Sequence, residues 1–279
     1  FLIFIVGVGR VMDADEVKTG QISQGADVIV TGVFYALSMY FFTDRESKKE
    51  LPRGSSLVTA GFKQVFVTAK GIVTYYSSTL AKFFVAVIFG QAATAAYTTI
   101  AVTFLVEVVK LNSTTTGLVF IVVLMSIIPG NFCSKYLMRK TNPIVTVKVC
   151  VILYIIINFA TFLTLTGPEV GYLVWPYSAI WGFMLGWYLP TEMHIYSALM
   201  PKGQEAELSG FYLYCTQILT WLPPLIFTIM NEGGISLNWG GVHLNIYFFL
   251  ALVFYQLLPP WDKCLDAANA DNKILMSMD

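Results

Sequence analysis

The chain has 279 residues, of which 56% are hydrophobic and only 12% charged, with no formal net charge and a mean hydropathy of +0.68. A water-soluble fold of this length needs more polar surface than that composition supplies. The basic residues are dispersed, which excludes a nucleic-acid partner, and no P-loop, H-E-x-x-H or nucleophile elbow points to an enzyme.

Phe1–Gly9 is apolar but too short to span a bilayer, and it lacks the basic start and cleavage site of a signal peptide. It reads as the tail of a helix that begins upstream, so the chain is expected to be part of a longer membrane protein. An acidic outer loop follows to about Gln24, and a first full helix ends near Phe42. Residues 1–43 are therefore read as the end of one helical bundle. Stretches without Asp, Glu, Lys or Arg cover 28–43, 83–106, 111–134, 149–168, 170–191, 208–231 and 233–261. Most exceed the ~20 helical residues that cross a hydrocarbon core. All 17 Lys and Arg except Arg10, Lys18 and Lys110 fall on every second connection between these stretches. That asymmetry puts the basic connections in the cytosol.

Residues 44–80 form the longest polar connection. Within it Leu57, Gly61, Phe62, Val65, Ala69, Ile72 and Tyr76 recur at three- and four-residue spacing, with Lys63, Gln64 and Lys70 elsewhere on the wheel. This is an amphipathic helix, lying on the membrane surface or packed under the bundle. Six helices are expected next, near 81–106, 115–134, 143–166, 171–197, 208–230 and 242–259, forming a bundle over 81–260. Pro143 suits the first turn of its helix. The glycines and asparagines from Asn231 to Gly241 predict a turn-rich outer loop, and residues 261–279 a disordered cytosolic tail. The fold class is thus an all-α polytopic transmembrane bundle. A long cytosolic connection followed by six helices matches the second half of a carrier built from two six-helix halves, preceded by the last one or two helices of the first.

Polar side chains at bilayer depth must face protein or water. Gln91, Thr94, Tyr97 and Thr98 share one face of their helix among small alanines, suited to close packing or to lining a cavity. Asn158 is central in its own helix, and Gln217 precedes a helix break at Pro223–Pro224 that frees backbone carbonyls. These six residues are the substrate-cavity candidates. Glu192 and His194 follow Pro190, a further expected helix break, and form either an interfacial pair or a proton relay. Gly182 and Gly186 make a G-x-x-x-G packing face. Glu205 and Glu207 fall in a helix's first turn, within reach of Lys202 or of the basic loop that Lys135, Arg139 and Lys140 form. They can cap that helix or latch a cytosolic gate. Cys133, Cys150, Cys215 and Cys264 make no C-x-x-C pair, so neither disulfide nor zinc is indicated, and no cofactor or metal is expected.

Two stretches carry a family resemblance. Gly130–Asn–Phe–Cys–Ser–Lys135–Tyr–Leu–Met–Arg139–Lys140 is similar to the second-half copy of the major facilitator superfamily loop motif, with Ser134 where the motif has an acid. Tyr196–Ser–Ala–Leu–Met–Pro201–Lys–Gly203–Gln–Glu205–Ala206–Glu207–Leu–Ser–Gly210–Phe–Tyr212, continued by Trp221–Leu–Pro223–Pro224–Leu–Ile–Phe227, resembles that superfamily's vacuole-effluxer-like family. Its members are autophagy-related vacuolar amino-acid exporters. The chain departs from the family at Phe89–Thr94, where an Asp-Gly pair is usual, at Met193, where an Arg is usual, and at Pro223, which replaces a Gly. The resemblance implies a secondary transporter moving a small solute, an amino acid, by alternating access, with the lipid bilayer and a coupled proton as further partners. The implied location is a vacuole or other endomembrane, with the plasma membrane as the alternative. A non-transporting receptor or scaffold with a carrier-like fold is the competing expectation.

Overall fold

The computed structural model describes residues 16–42, 56–74, 76–202 and 204–276, and every regular element among them is helical. The expected stub Phe1–Gly9 and the start of the acidic loop after it lie outside the described residues, as does the start of the long connection; the rest of that expected loop, Glu16 to Gln24, is helical instead. Helix α1 (Glu16–Phe41) leaves all its side chains from Val28 to Phe41 exposed. Helix α2 (Leu57–Thr74) lies within the long connection, and α3 (Ser78–Glu107), α4 (Ser113–Lys140), α5 (Pro143–Thr164) and α6 (Val174–Leu199) follow. The chain continues through α7 (Glu205–Gln217), α8 (Leu222–Glu232), α9 (Leu237–Val242), α10 (Leu244–Gln256) and α11 (Trp261–Met276).

Local chemistry sets these boundaries. Asn112 and Asn142 cap α4 and α5, their side chains accepting from the amides of Thr115 and Val145 at 2.8 Å each. Pro143 occupies the first turn of α5, where its missing N–H costs nothing. Among the described residues, five helical stretches are long and apolar enough to cross a membrane: Ser78–Glu107, Ser113–Lys140, Pro143–Thr164, Glu207–Glu232 and Leu237–Gln256. The expected sixth, α6, has 26 residues and so reaches about 39 Å, but it is less apolar. Its polar side chains Ser178, Thr191 and Glu192 are buried against neighbouring helices.

Three further sequence expectations need correction. The tail is not disordered: α11 turns Cys264, Ala268 and Asp271 inward at helical spacing. The two prolines do not themselves break the next-to-last span. The α-helix stops at Gln217 and restarts at Leu222, and Pro223 and Pro224 sit in the new first turn. The outer loop ends sooner than expected, because Leu237–Val242 is helical. There Gly240 lies against the Phe227 ring and Gly241 against Phe162, so these glycines serve close packing, and only Gly234 takes a left-handed turn (φ 82°).

The tightest contact joins α4 to α6. A Cβ added to Gly182 or Gly186 would strike the backbone carbonyl of Val123 or Ile127 on α4, and one added to Gly130 would strike that of Phe183 on α6. Beyond them the Ser134 and Thr191 hydroxyls meet at 2.8 Å, both buried. Helices α3, α5, α6 and α10 enclose an aromatic core in which Tyr154 stacks on Phe248 at 5.0 Å and Phe104 meets Phe162 edge-on at 4.8 Å.

Candidate functional site

Helix α6 carries Glu192 into the bundle, where the residue has no exposed surface. Its Oε1 accepts from Gln91 Nε2 of α3 at 2.6 Å and from Tyr212 OH of α7 at 2.8 Å. Its Oε2 accepts from Tyr255 OH of α10 at 3.4 Å. Tyr188, one turn earlier on α6, places its hydroxyl 3.3 Å from that of Tyr255. Gly90 makes room for the Tyr188 hydroxyl, which a Cβ there would strike. Four helices therefore meet at one carboxyl group. Among the described residues no Lys, Arg or His forms an ion pair with Glu192.

A carboxylate taken out of water costs several kcal/mol unless its oxygens are well bonded. Here phenol and amide donors do that work without an opposite charge. An ionised carboxylate only accepts hydrogen bonds, whereas a protonated one also donates. A proton arriving at this site would therefore force at least one of the present donors to turn away or to accept.

The other sequence candidates are dispersed. His194 does not pair with Glu192; two residues further along α6, it points outward and stacks on Trp261 at 6.2 Å. Two positions along a helix lie on nearly opposite faces, which is why the pair does not form. Thr94 is buried and donates to the Gly90 carbonyl at 2.8 Å. Asn158 is fully buried and donates to Asn245 Oδ1 at 3.0 Å and to the Gly241 carbonyl at 3.3 Å, joining α5 to the last span. Tyr97 and Thr98 line a cavity of ≈ 380 Å³ between α3, α4, α5 and α6, with Phe162, Tyr177, Ser178 and Trp181 opposite. Gln217 is exposed at the end of α7, away from both places.

At the basic end of the bundle Lys135 and Arg139 are exposed, and Lys140 lies over the Tyr136 ring at 4.8 Å. Glu205 and Glu207 stand in the first turn of α7. Glu207 is held by α2 rather than by the Arg139–Lys140 loop: Thr68 Oγ1 donates to its Oε1 at 2.6 Å. Both Glu207 and Asp271 of α11 lie close enough to Tyr76 to raise its phenol, after burial, which contributes most. Pro190 does not break its helix as expected: it lies inside α6, just before Thr191 and Glu192, and the helix runs on to Leu199. The sequence reading missed Tyr188, Tyr212 and Tyr255. Tyr188 is four residues from Glu192, a spacing that puts both on one helix face, and Tyr212 closes the Pro201–Tyr212 motif.

A family model described as vacuole effluxer Atg22 like matches residues 2–266. The chain belongs to this family. The Atg22-like family lies within the major-facilitator-like transporters, in agreement with the all-helical polytopic fold. This Atg22-like chain is accordingly an integral multi-pass membrane protein of a transporter family. No curated protein and no solved structure matches it significantly. The Glu192 cluster draws on three parts of the Atg22-like match, at 91, 188–212 and 255.

Proposed function

We propose that this chain works in a secondary transporter that moves an amino acid out of a vacuole-like compartment by alternating access, with protonation of Glu192 coupled to the movement. Family membership supports the transport class. The observation that carries the coupling is a fully buried carboxyl, with no cation paired to it among the described residues, bonded by donors from three other helices. Such a group can change the hydrogen bonds between helices by gaining or losing one proton. Gln91 is only half-buried and offers the proton a way in from the open side of α3. The cavity beside Tyr97 and Thr98, at ≈ 380 Å³, is within the size range of small-molecule sites and supports a small solute.

The test is uptake of radiolabelled amino acids by proteoliposomes, with and without an imposed pH gradient. E192Q keeps a hydrogen-bonding side chain of the same shape but cannot carry the charge. It should retain exchange across the membrane and lose accumulation driven by the gradient. Unchanged gradient-driven accumulation in E192Q removes Glu192 from the coupling. Absence of saturable flux for every amino acid in folded wild-type protein removes the exporter reading itself.

A further inference from the structure

Helix α2 presents three separate faces. Thr68 and Ile72 are buried against the bundle, where Thr68 bonds Glu207 at the start of the apolar stretch Glu207–Glu232. Four residues after α2 ends, α3 begins, another stretch able to span. The middle of α2 is therefore held level with the basic ends of two spans. A second face consists of Phe62, Phe66 and Val73, which are 66%, 74% and 78% exposed. On a helix of 3.6 residues per turn these three form one stripe, about a third of a turn from Thr68 and Ile72. Lys63 and Lys70 lie about a fifth of a turn beyond the stripe on its other side. Both lysines are exposed, and among the described residues neither is in an ion pair.

Water does not favour an exposed double-Phe stripe, and a chain anchored at the bilayer edge has an apolar medium within reach. Phe side chains fit the boundary between headgroups and acyl chains, and neighbouring lysines reach outward to phosphates. The charge pattern matches an anionic surface: between Glu50 and Glu107 the sequence has no acidic residue, but it has Arg53, Lys63, Lys70 and Lys82.

We propose that α2 docks onto the cytosolic leaflet through Phe62, Phe66 and Val73 and reads anionic phospholipid headgroups through Lys63 and Lys70. The docked helix also holds α7 through the Thr68–Glu207 bond, so lipid charge bears on the helix that carries Tyr212 to Glu192. This docking does not depend on which solute is moved or on proton coupling.

The protein carrying F66C labelled with an environment-sensitive nitrobenzoxadiazole dye, with Cys133 replaced by Ala, is reconstituted in phosphatidylcholine vesicles with and without phosphatidylserine. The dye should be quenched by a nitroxide on the lipid chain and shielded from aqueous iodide, more so with phosphatidylserine. In K63Q and K70Q the ratio of docked to undocked helix should fall about fivefold for each lysine removed, in anionic vesicles only. Iodide quenching in both kinds of vesicle overturns the docking. Shielding from iodide and nitroxide alike overturns it too, because a protein segment would then cover the stripe. Nitroxide quenching that ignores both lipid charge and the lysine variants overturns headgroup recognition.

Discussion

Replacing Gly186 by alanine tests whether the α4–α6 contact is the rigid part of the bundle. The new methyl group would meet the Ile127 backbone carbonyl, which cannot swing aside as a side chain would. The helices must move apart by roughly 1 Å, enough to forfeit a quarter to a half of the dispersion energy of each atom pair along the seam. Overpacking of this kind costs about 1–3 kcal/mol. Separation would also stretch the Ser134–Thr191 hydrogen bond, five residues beyond Gly186, and such bonds between membrane helices average about 0.6 kcal/mol. Less the ~1 kcal/mol that alanine gains over glycine inside a helix, the expected loss for G186A is about 1–2 kcal/mol, roughly a 5- to 30-fold change in the ratio of folded to unfolded protein. Reversible unfolding in mixed micelles, followed by tryptophan fluorescence, measures it. G210A is the control, because a Cβ at Gly210 has nothing within 4 Å and the same substitution improves helix propensity there. If G186A unfolds within about 0.5 kcal/mol of wild type, the two backbones are not in contact and the reasoning fails.

The remaining predictions concern the carboxyl site and the basic end of the bundle. Y212F removes the 2.8 Å donor to Glu192 and should cost about 1–3 kcal/mol in the same unfolding assay, whereas Y214F, at an exposed neighbour, should change nothing measurable. D271A removes the carboxylate that accepts the Ser77 amide at 3.0 and 3.2 Å just before α3, at the positive end of the helix dipole. It should cost about 1–2 kcal/mol and speed amide exchange across 261–276, and unchanged exchange would show the tail helix is held by other contacts. Burial pushes the Cys264 thiol up to about 11, with Lys148 opposing part of that rise. Because the raised value favours the protonated thiol, maleimide labelling of Cys264 in folded protein should be negligible at pH 7.5 and climb with pH until about 11. A rate that levels off near the ordinary thiol value would mean that Cys264 is exposed to water.

Five of the apolar spans were legible because they arise from a pattern summed over many residues, where single errors cancel. The tail helix was hidden for the opposite reason. Between Trp261 and Met276 the polar residues Asp262, Lys263, Asp266, Asn269 and Asn272 mask a short inward face, Cys264, Ala268 and Asp271, that packs only once α3 and α6 are in place. Gly182 and Gly186 were readable as a packing face from spacing alone, although their partner was not, because spacing within one helix says nothing about which helix opposes it. The carboxyl site was half legible. Gln91 was readable as a polar residue at bilayer depth and Glu192 as an ionisable one toward the cytosolic edge, whereas the three tyrosines counted as apolar mass until geometry turned their hydroxyls toward one oxygen pair. Gln217 shows the converse, since a polar residue beside two prolines looked like a site and is exposed.

These contacts differ in how readily they can change. The α4–α6 seam is backbone against backbone and has no alternative arrangement short of separation. Helix α5 is tied to the last span by Asn158 through both Asn245 and Gly241. The bonds from Gln91 and Tyr212 to Glu192 are of another kind, since each is a single hydrogen bond from a side chain that can rotate about its own torsions. A proton on Glu192 would act on these weak links first, loosening α3 and α7 from α6 while leaving α4 fixed to it. Helix α7 is held at its start by Thr68 of the connecting helix, so the same change would reach α2 through Glu207. Movement would then be confined to α3, α7 and the connector, which predicts that cross-linking α4 to α6 leaves transport intact whereas cross-linking α3 to α6 near Gln91 stops it. Transport arrested by the α4–α6 cross-link would place the moving boundary elsewhere in the bundle.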